Sequence, residues 1–143
     1  MAERKVEGGE IEPPQSVSRI NCTASIRGRG IATLALYRHL APLTVNALMR
    51  VLPIQSRANV QEAFVCMFTN VRVGVEKPRT TFSPGEIAFL PSNALLCVFV
   101  KNVQSDRPLN PIGNVDTGIE LFDSVRLGDV IEIRQVQEAT AQT

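Results

Sequence analysis

RINCTASIRGRGIATLALY, residues 19–37, decides the class of the fold. Ile20, Cys22, Ala24 and Ile26 alternate with Arg19, Asn21, Thr23, Ser25 and Arg27. A period of two describes a strand with one face on a core and the other in water. Gly28-Arg29-Gly30 follows, and its glycines tolerate the positive φ that a short hairpin loop requires. Ile31 to Tyr37 then returns as the second strand. The stretch predicts a β-hairpin.

On the C-terminal side the pattern changes period. Pro42 suits a first helical turn, where no amide partner is needed. Val45, Leu48, Met49 and Leu52 fall at i, i+3, i+4 and i+7, an apolar stripe that reads as core packing. Pro53 stops this helix. Val60 to Val75 is rich in β-branched and aromatic residues and predicts one or two strands, with Phe64, Cys66 and Phe68 on one face. Glu76 to Pro84 reads as a loop whose Arg79, beside Thr80, Thr81 and Ser83, has the chemistry to hold an anion.

Glu86 to Leu90 and Ala94 to Val100 read as strands joined by the tight Pro91-Ser92-Asn93 connection, the second apolar enough to be buried on both faces. Lys101 to Thr117 carries Pro108, Asn110-Pro111 and Gly113-Asn114 and reads as an irregular stretch, the kind of long loop that often carries function. Gly118 to Val125 predicts a short helix and Val130 to Gln135 a last strand. The expected fold is mainly β: a closed barrel with one or two short helices, since closure removes exposed sheet edges. Residues 1–17 read as a flexible arm, 18–136 as the barrel domain and 137–143 as a tail.

Composition narrows the chemistry. The chain has 143 residues, 15 Lys+Arg against 14 Asp+Glu and a net charge of +1, which gives no broad basic field for nucleic acid. The longest apolar run, Ala94 to Val100, is far short of the roughly 18–20 residues of a membrane-spanning helix. Met1-Ala2-Glu3-Arg4-Lys5 is not the start of a secretory signal, so the expected location is cytoplasmic. Cys22, Cys66 and Cys97 are odd in number and form no C-x-x-C pair. They read as small buried hydrophobes rather than a disulfide framework or zinc site.

His39 is the sole histidine, which excludes sites needing two imidazoles; it has no G-x-S-x-G partner and reads as a capping or surface residue. Neither a G-x-x-x-x-G-K-[ST] loop nor a complete dinucleotide fingerprint is present. No cofactor and no metal are expected.

Four segments together resemble the cyclophilins. Ile31 to Leu48, with its strand, short polar linker, Pro42, Thr44 and helix, looks like the opening of that family. Ser83-Pro84-Gly85-Glu86-Ile87-Ala88-Phe89 resembles the segment in which a Pro-Gly turn launches a central strand. Leu95 to Val100 resembles the apolar strand after it, and Gly118-Ile119-Glu120-Leu121-Phe122 the short helix before the last strand. The chain is closer still to small prokaryotic cyclophilin-like proteins of unassigned activity, which share a P-G-x-[IV]-x-[FY]-x-P block, here Pro84 through Pro91. The resemblance spans about residues 19–134.

It implies a cyclophilin-like barrel, and the departures bear on activity. Prolyl isomerases of the family place an arginine in an F-x-R setting on the third strand, where Phe64-Val65-Cys66 offers a cysteine. Ala94-Leu95-Leu96 replaces their Gln-Phe-Phe block, and Ser92-Asn93 is what remains of an Asn-rich loop. Isomerisation needs an oriented charged donor beside an apolar proline socket. The leading reading is therefore a binding module that takes a small molecule or peptide in an apolar pocket lined by Phe64, Cys66, Phe68, Phe89 and Phe99, with Arg79 or Arg72 at its rim. The alternative is a divergent peptidyl-prolyl isomerase with Arg72 as the catalytic donor. A third reading is a homo-oligomer or accessory subunit using residues 101–117 as its contact surface.

Overall fold

The computed structural model describes residues 18–136; the proposed arm 1–17 and tail 137–143 lie outside the described residues. The opening hairpin forms as the alternation requires. β1 (Arg19–Ile26) buries every second residue and pairs in unbroken register with β2 (Gly30–Tyr37), from Arg19 opposite Tyr37 to Ile26 opposite Gly30. Gly28 and Gly30 in the loop take φ of 79° and 140°, a region closed to most side chains.

Helix α1 (Pro42–Val51) begins with Pro42 in its first turn and buries Val45 and Leu48 of the expected stripe; Met49 and Leu52 are partly buried against the core, and Thr44, a polar residue outside the stripe, is buried with them. Ala41 has no side chain to cap it. Glu76 caps from outside instead: its carboxylate accepts Leu43 N–H and Thr44 N–H at 2.9 Å each and the Thr44 hydroxyl at 2.8 Å. Two of the free donors at the helix start are satisfied this way. Partial burial pushes the Glu76 carboxyl up, but those three bonds and the nearby Lys77 outweigh it and hold it below its ordinary value.

The remaining strands are β3 (Ile54–Arg57), β4 (Asn59–Val60), β5 (Phe64–Phe68), β6 (Arg79–Phe82), β7 (Glu86–Leu90), β8 (Leu95–Phe99), β9 (Val103–Thr117) and β10 (Val130–Gln135), with α2 (Ile119–Asp123) before the last. Hydrogen-bonded neighbours run β3-β10-β1-β2-β9-β7-β8-β5-β4, and β6 adds to β9. The mainly-β class with two short helices stands; the closed barrel does not. The two ends of the sheet do not pair. β3 and β4 are one extended run broken at Ala58, whose N–H and carbonyl both bond the turn before β10, to Asp129 O at 2.7 Å and from Gly128 N at 2.9 Å. A single run thus supplies both edges and bends between them, leaving no ladder to close the sheet.

The sequence reading is also corrected at residues 101–117. Val103–Thr117 is one long strand, not a loop, and it pairs with β6, β7 and β2. Its register shifts at Gln104/Leu109, Pro111/Gly113 and Val115/Thr117, and such irregularities are where a sheet tolerates proline and glycine. At Gly113 the approach is close: a Cβ there would stand 2.0 Å from the carbonyl oxygen of Ala35. β6 likewise forms inside the segment read as a loop.

The main core joins Ile20, Leu34, Val45, Leu48, Met67, Phe89, Phe122 and Ile133 with their neighbours from both helices and most strands. A second, smaller cluster holds Cys66, Phe82, Ala88, Leu90, Cys97, Phe99 and Leu109. The side chains of β5, β7 and β8 alternate between the two, so these strands are covered on both faces, as the apolar run 94–100 predicted. No helix among the described residues is long and apolar enough to cross a membrane.

Candidate functional site

A groove of about 520 Å³ opens over the second cluster, on the face of β5, β7 and β8 turned away from the main core. Phe64 from β5, Leu90 from β7, and Cys97 and Phe99 from β8 contribute to it, with Val103 and Leu109 from β9. Gln104, Ser105, Asp106 and Arg107 complete the lining. The register break between β9 and β6 opens after Gln104 and takes in Ser105, Asp106 and Arg107, so the strand departs from its partner where it passes the groove.

Arg107 fastens that departure. Its guanidinium donates to Asn93 Oδ1 at 3.0 Å and Ser92 Oγ at 3.3 Å, and its N–H donates to Ser105 Oγ at 3.0 Å. The tight 91–93 turn and the β9 bulge are thereby tied to one another. An apolar interior with a few hydrogen-bonding groups at one side is the usual composition of a small-ligand pocket.

Aromatic packing builds one wall. Phe82 stacks on Phe99 with ring centroids 4.5 Å apart and planes at 2°, and Phe64 meets Phe99 at 5.5 Å and 57°. The Arg79 guanidinium carbon lies 4.9 Å from the centre of the Phe82 ring, within cation–π range. Arg79 also pairs with Glu86 at 2.6 Å.

The structure brings together only part of the set read from the sequence. Phe64 and Phe99 line the groove, and Cys66 belongs to the cluster beneath it. Phe68 shares their face but is 48% exposed at the far end of β5. Phe89 is not part of the pocket: it is 0% exposed in the main core, because Ala88 and Leu90 take the groove face and alternation sends Phe89 to the other. Arg79 lies not at the groove rim but in a separate shallow hollow with Thr80, Thr81, Ser83 and Glu86. Arg72 is exposed and lines neither.

Leu90, Val103, Leu109 and the polar group 104–107 are the residues that sequence reasoning missed. Reading 101–117 as a loop gives Val103 and Leu109 no face, and only long-range pairing assigns them one. His39 is exposed, with Nδ1 2.8 Å from Ser18 Oγ, the surface role expected of it. Among the described residues no group of three or more His, Cys, Asp or Glu side chains is placed to hold a metal ion.

The model of a family described as cyclophilin-like matches residues 8–134. No curated protein matches the sequence. Among solved structures, the solution structure of the hypothetical protein AF2241 from Archaeoglobus fulgidus is similar, with a TM-score of 0.72 and 21% identity over 83% of this chain and 96% of that one. The structure of McbB in complex with tryptophan is similar at a TM-score of 0.69 and 17% identity over 82% of this chain. The match takes in 45% of McbB, so this chain spans less than half the length of that protein. At these identities the likeness is one of fold.

Proposed function

The chain belongs to the cyclophilin-like family, and we propose that within it the protein is a binding module that takes a small molecule or peptide through an apolar, ring-sized group. One observation carries the reading. The groove joins Phe64, Leu90, Phe99, Val103 and Leu109 to Gln104, Ser105, Asp106 and Arg107 in a volume of about 520 Å³, within the roughly 300–1,000 Å³ of ligand sites. The apolar side chains remove ring surface from water, and the polar group orients what the ring carries. The binding of tryptophan by McbB supports the choice of an aromatic probe.

A prolyl isomerase reading would need a charged donor beside the socket. Where the family resemblance leads one to expect the isomerase arginine this chain has Cys66, and Arg72 is outside the groove lining. The binding reading therefore uses no catalytic residue, no metal and no cofactor. Its partner is the ligand, with neither nucleic acid nor membrane involved, and the expected location stays cytoplasmic.

The test is a titration of the isotope-labelled full chain with tryptophan and, separately, with a short Xaa-Pro peptide, followed by amide NMR. Saturable shifts confined to residues 64, 90, 97, 99, 103–107 and 109 are expected for at least one probe. They should be lost in Val103→Asp, which sets a charge against the ring site at a half-buried position. No shift with either probe, or shifts scattered elsewhere, refutes the reading. Accelerated cis–trans exchange of the peptide at substoichiometric protein would replace it with the isomerase.

A further inference from the structure

Two of the three cysteines are cross-strand neighbours, Cys97 in the groove lining and Cys66 in the cluster beneath it. Cys66 on β5 and Cys97 on β8 are direct register partners in an antiparallel pair. The ladder around them settles which kind of pair they form. Val100 N bonds Ala63 O at 2.8 Å and Thr69 N bonds Ala94 O at 2.9 Å. In the register of Phe64 opposite Phe99, these are the hydrogen-bonded pairs 63/100 and 69/94. Alternation makes 65/98 and 67/96 hydrogen-bonded too, and 66/97 a non-hydrogen-bonded pair.

In such a pair the Cα atoms stand about 4.5 Å apart and the side chains are at their closest. That falls at the short end of the roughly 4.4–6.8 Å window in which two cysteines can be bridged. Both residues are on the groove face, in the cluster with Phe64, Phe99 and Leu90. On the next strand Cys97 stands opposite Ala88, a small side chain that leaves room beside the sulfur. Cys97 also lines the groove, which gives a small reagent a path to the pair. The separations of 44 and 31 residues along the chain hid this arrangement.

We propose that Cys66 and Cys97 form an oxidisable dithiol site, converted to a cross-strand disulfide by a hydroperoxide entering through the groove. Oxidation proceeds in two balanced steps. The Cys66 thiolate attacks one oxygen of hydrogen peroxide, the O–O bond breaks, and the leaving hydroxide takes a proton to depart as water, leaving Cys66 as the sulfenic acid. The Cys97 sulfur then attacks the Cys66 sulfur, its proton joins the departing hydroxide, and a second water leaves as the S–S bond forms. Two thiols lose two electrons, and one peroxide is reduced to two waters.

The neighbourhood favours this division of labour. Hydrogen bonding with the Cys97 side chain holds the Cys66 thiol below its ordinary value against the opposing push of burial. The same bond, with burial and the facing sulfur, raises Cys97. Cys66 is thus the first nucleophile and Cys97 the resolving thiol. Cys22 has no such partner; burial alone pushes it up to about 11, and it serves as the internal reference.

The experiment treats the full chain with hydrogen peroxide, then measures intact mass and counts thiols after denaturation. Expected are a loss of the mass of two hydrogens, two of three thiols consumed, a peptide containing both Cys66 and Cys97, and full reversal by dithiothreitol. Cys97→Ala should stop at a sulfenic acid on Cys66 that dimedone traps. Cys66→Ala should remove the mass loss and slow peroxide consumption at least tenfold, and Cys22→Ala should leave both unchanged. A mass loss that survives Cys66→Ala, a bridge that includes Cys22, addition of oxygens with no bridge, or no reaction while the chain stays folded by circular dichroism would each overturn the site.

Discussion

Truncating Phe99 tests whether the groove wall is a packed aromatic unit or three rings that happen to be near one another. Phe99 is 1% exposed, stacked on Phe82 at 4.5 Å and met by Phe64 at 5.5 Å. Phe99→Ala should cost about 3–5 kcal/mol, the range for deleting a buried ring, out of the roughly 5–15 kcal/mol that holds a domain together. Phe82→Ala should cost a similar amount for a second reason. Phe82 is the only buried residue of β6, and among the described residues β9 is the only hydrogen-bonded neighbour of that strand. Losing the ring frees the strand.

The stacked geometry adds coupling of about 0.5–1.5 kcal/mol beyond area. The double variant should therefore cost less than the sum of the singles by that amount. Urea unfolding of the four proteins gives the cycle. Amide exchange gives the location: protection should fall at Thr81 and Gln104, which face each other across β6 and β9, and hold in β1 and β2. Singles that add within about 0.3 kcal/mol, or exchange lost first in the hairpin, would refute the stack as the element that holds the wall.

Asn110→Ala should destabilise the chain by about 1–3 kcal/mol for each polar partner stranded. Asn110 is 0% exposed; its amide donates to Gly74 O at 2.9 Å and Thr44 Oγ1 at 3.0 Å, and its oxygen accepts Glu76 N–H at 2.7 Å. A urea-measured loss below about 1 kcal/mol would show that these bonds are dispensable. Glu76 predicts the acid limb. Its pKa is depressed in the folded state, so its contribution is complete above the unfolded carboxyl value and is lost as pH falls through the lower folded one. Glu76→Gln should flatten unfolding against pH in that window and leave the slope above it unchanged; an unaltered acid limb would show that the cap carries no linkage.

Local pattern made the hairpin, helix α1, β7, β8 and β10 legible, because each owes its shape to residues a few positions apart. Ile20 through Ile26 states its period whatever surrounds it. β9 is the opposite case. Pro108, Pro111 and Gly113 punctuate it as they would a loop, and it is a strand because β2, β6 and β7 offer backbone partners that no local signal announces. The site suffered from the same cause. Phe64, Cys66 and Phe68 were placed on one face correctly by parity within β5, yet parity within one strand does not say which face of the next strand joins it. Phe89 went to the wrong set for that reason. The Cys66–Cys97 pairing is likewise a property of register, invisible until β5 and β8 are laid side by side.

The open sheet accounts for where the groove lies. Had the strands closed into a barrel with all aromatics inside, Phe64, Phe82 and Phe99 would have had to share one interior with Phe89 and Phe122. Instead the bend at Ala58 ends the ladder, and the main core inside the curl is filled chiefly by aliphatic side chains with those two rings. The outer face of β5, β7 and β8 is then left apolar, and β6 with the first part of β9 covers it. That cover is incomplete where β9 leaves the register of β6 between Gln104 and Leu109. The same irregularity that the prolines permit in the strand is what opens the groove above Phe99 and Cys97. Any substitution that restored regular pairing of β9 with β6 there would close the groove, and with it the proposed ligand site and the path to the proposed dithiol.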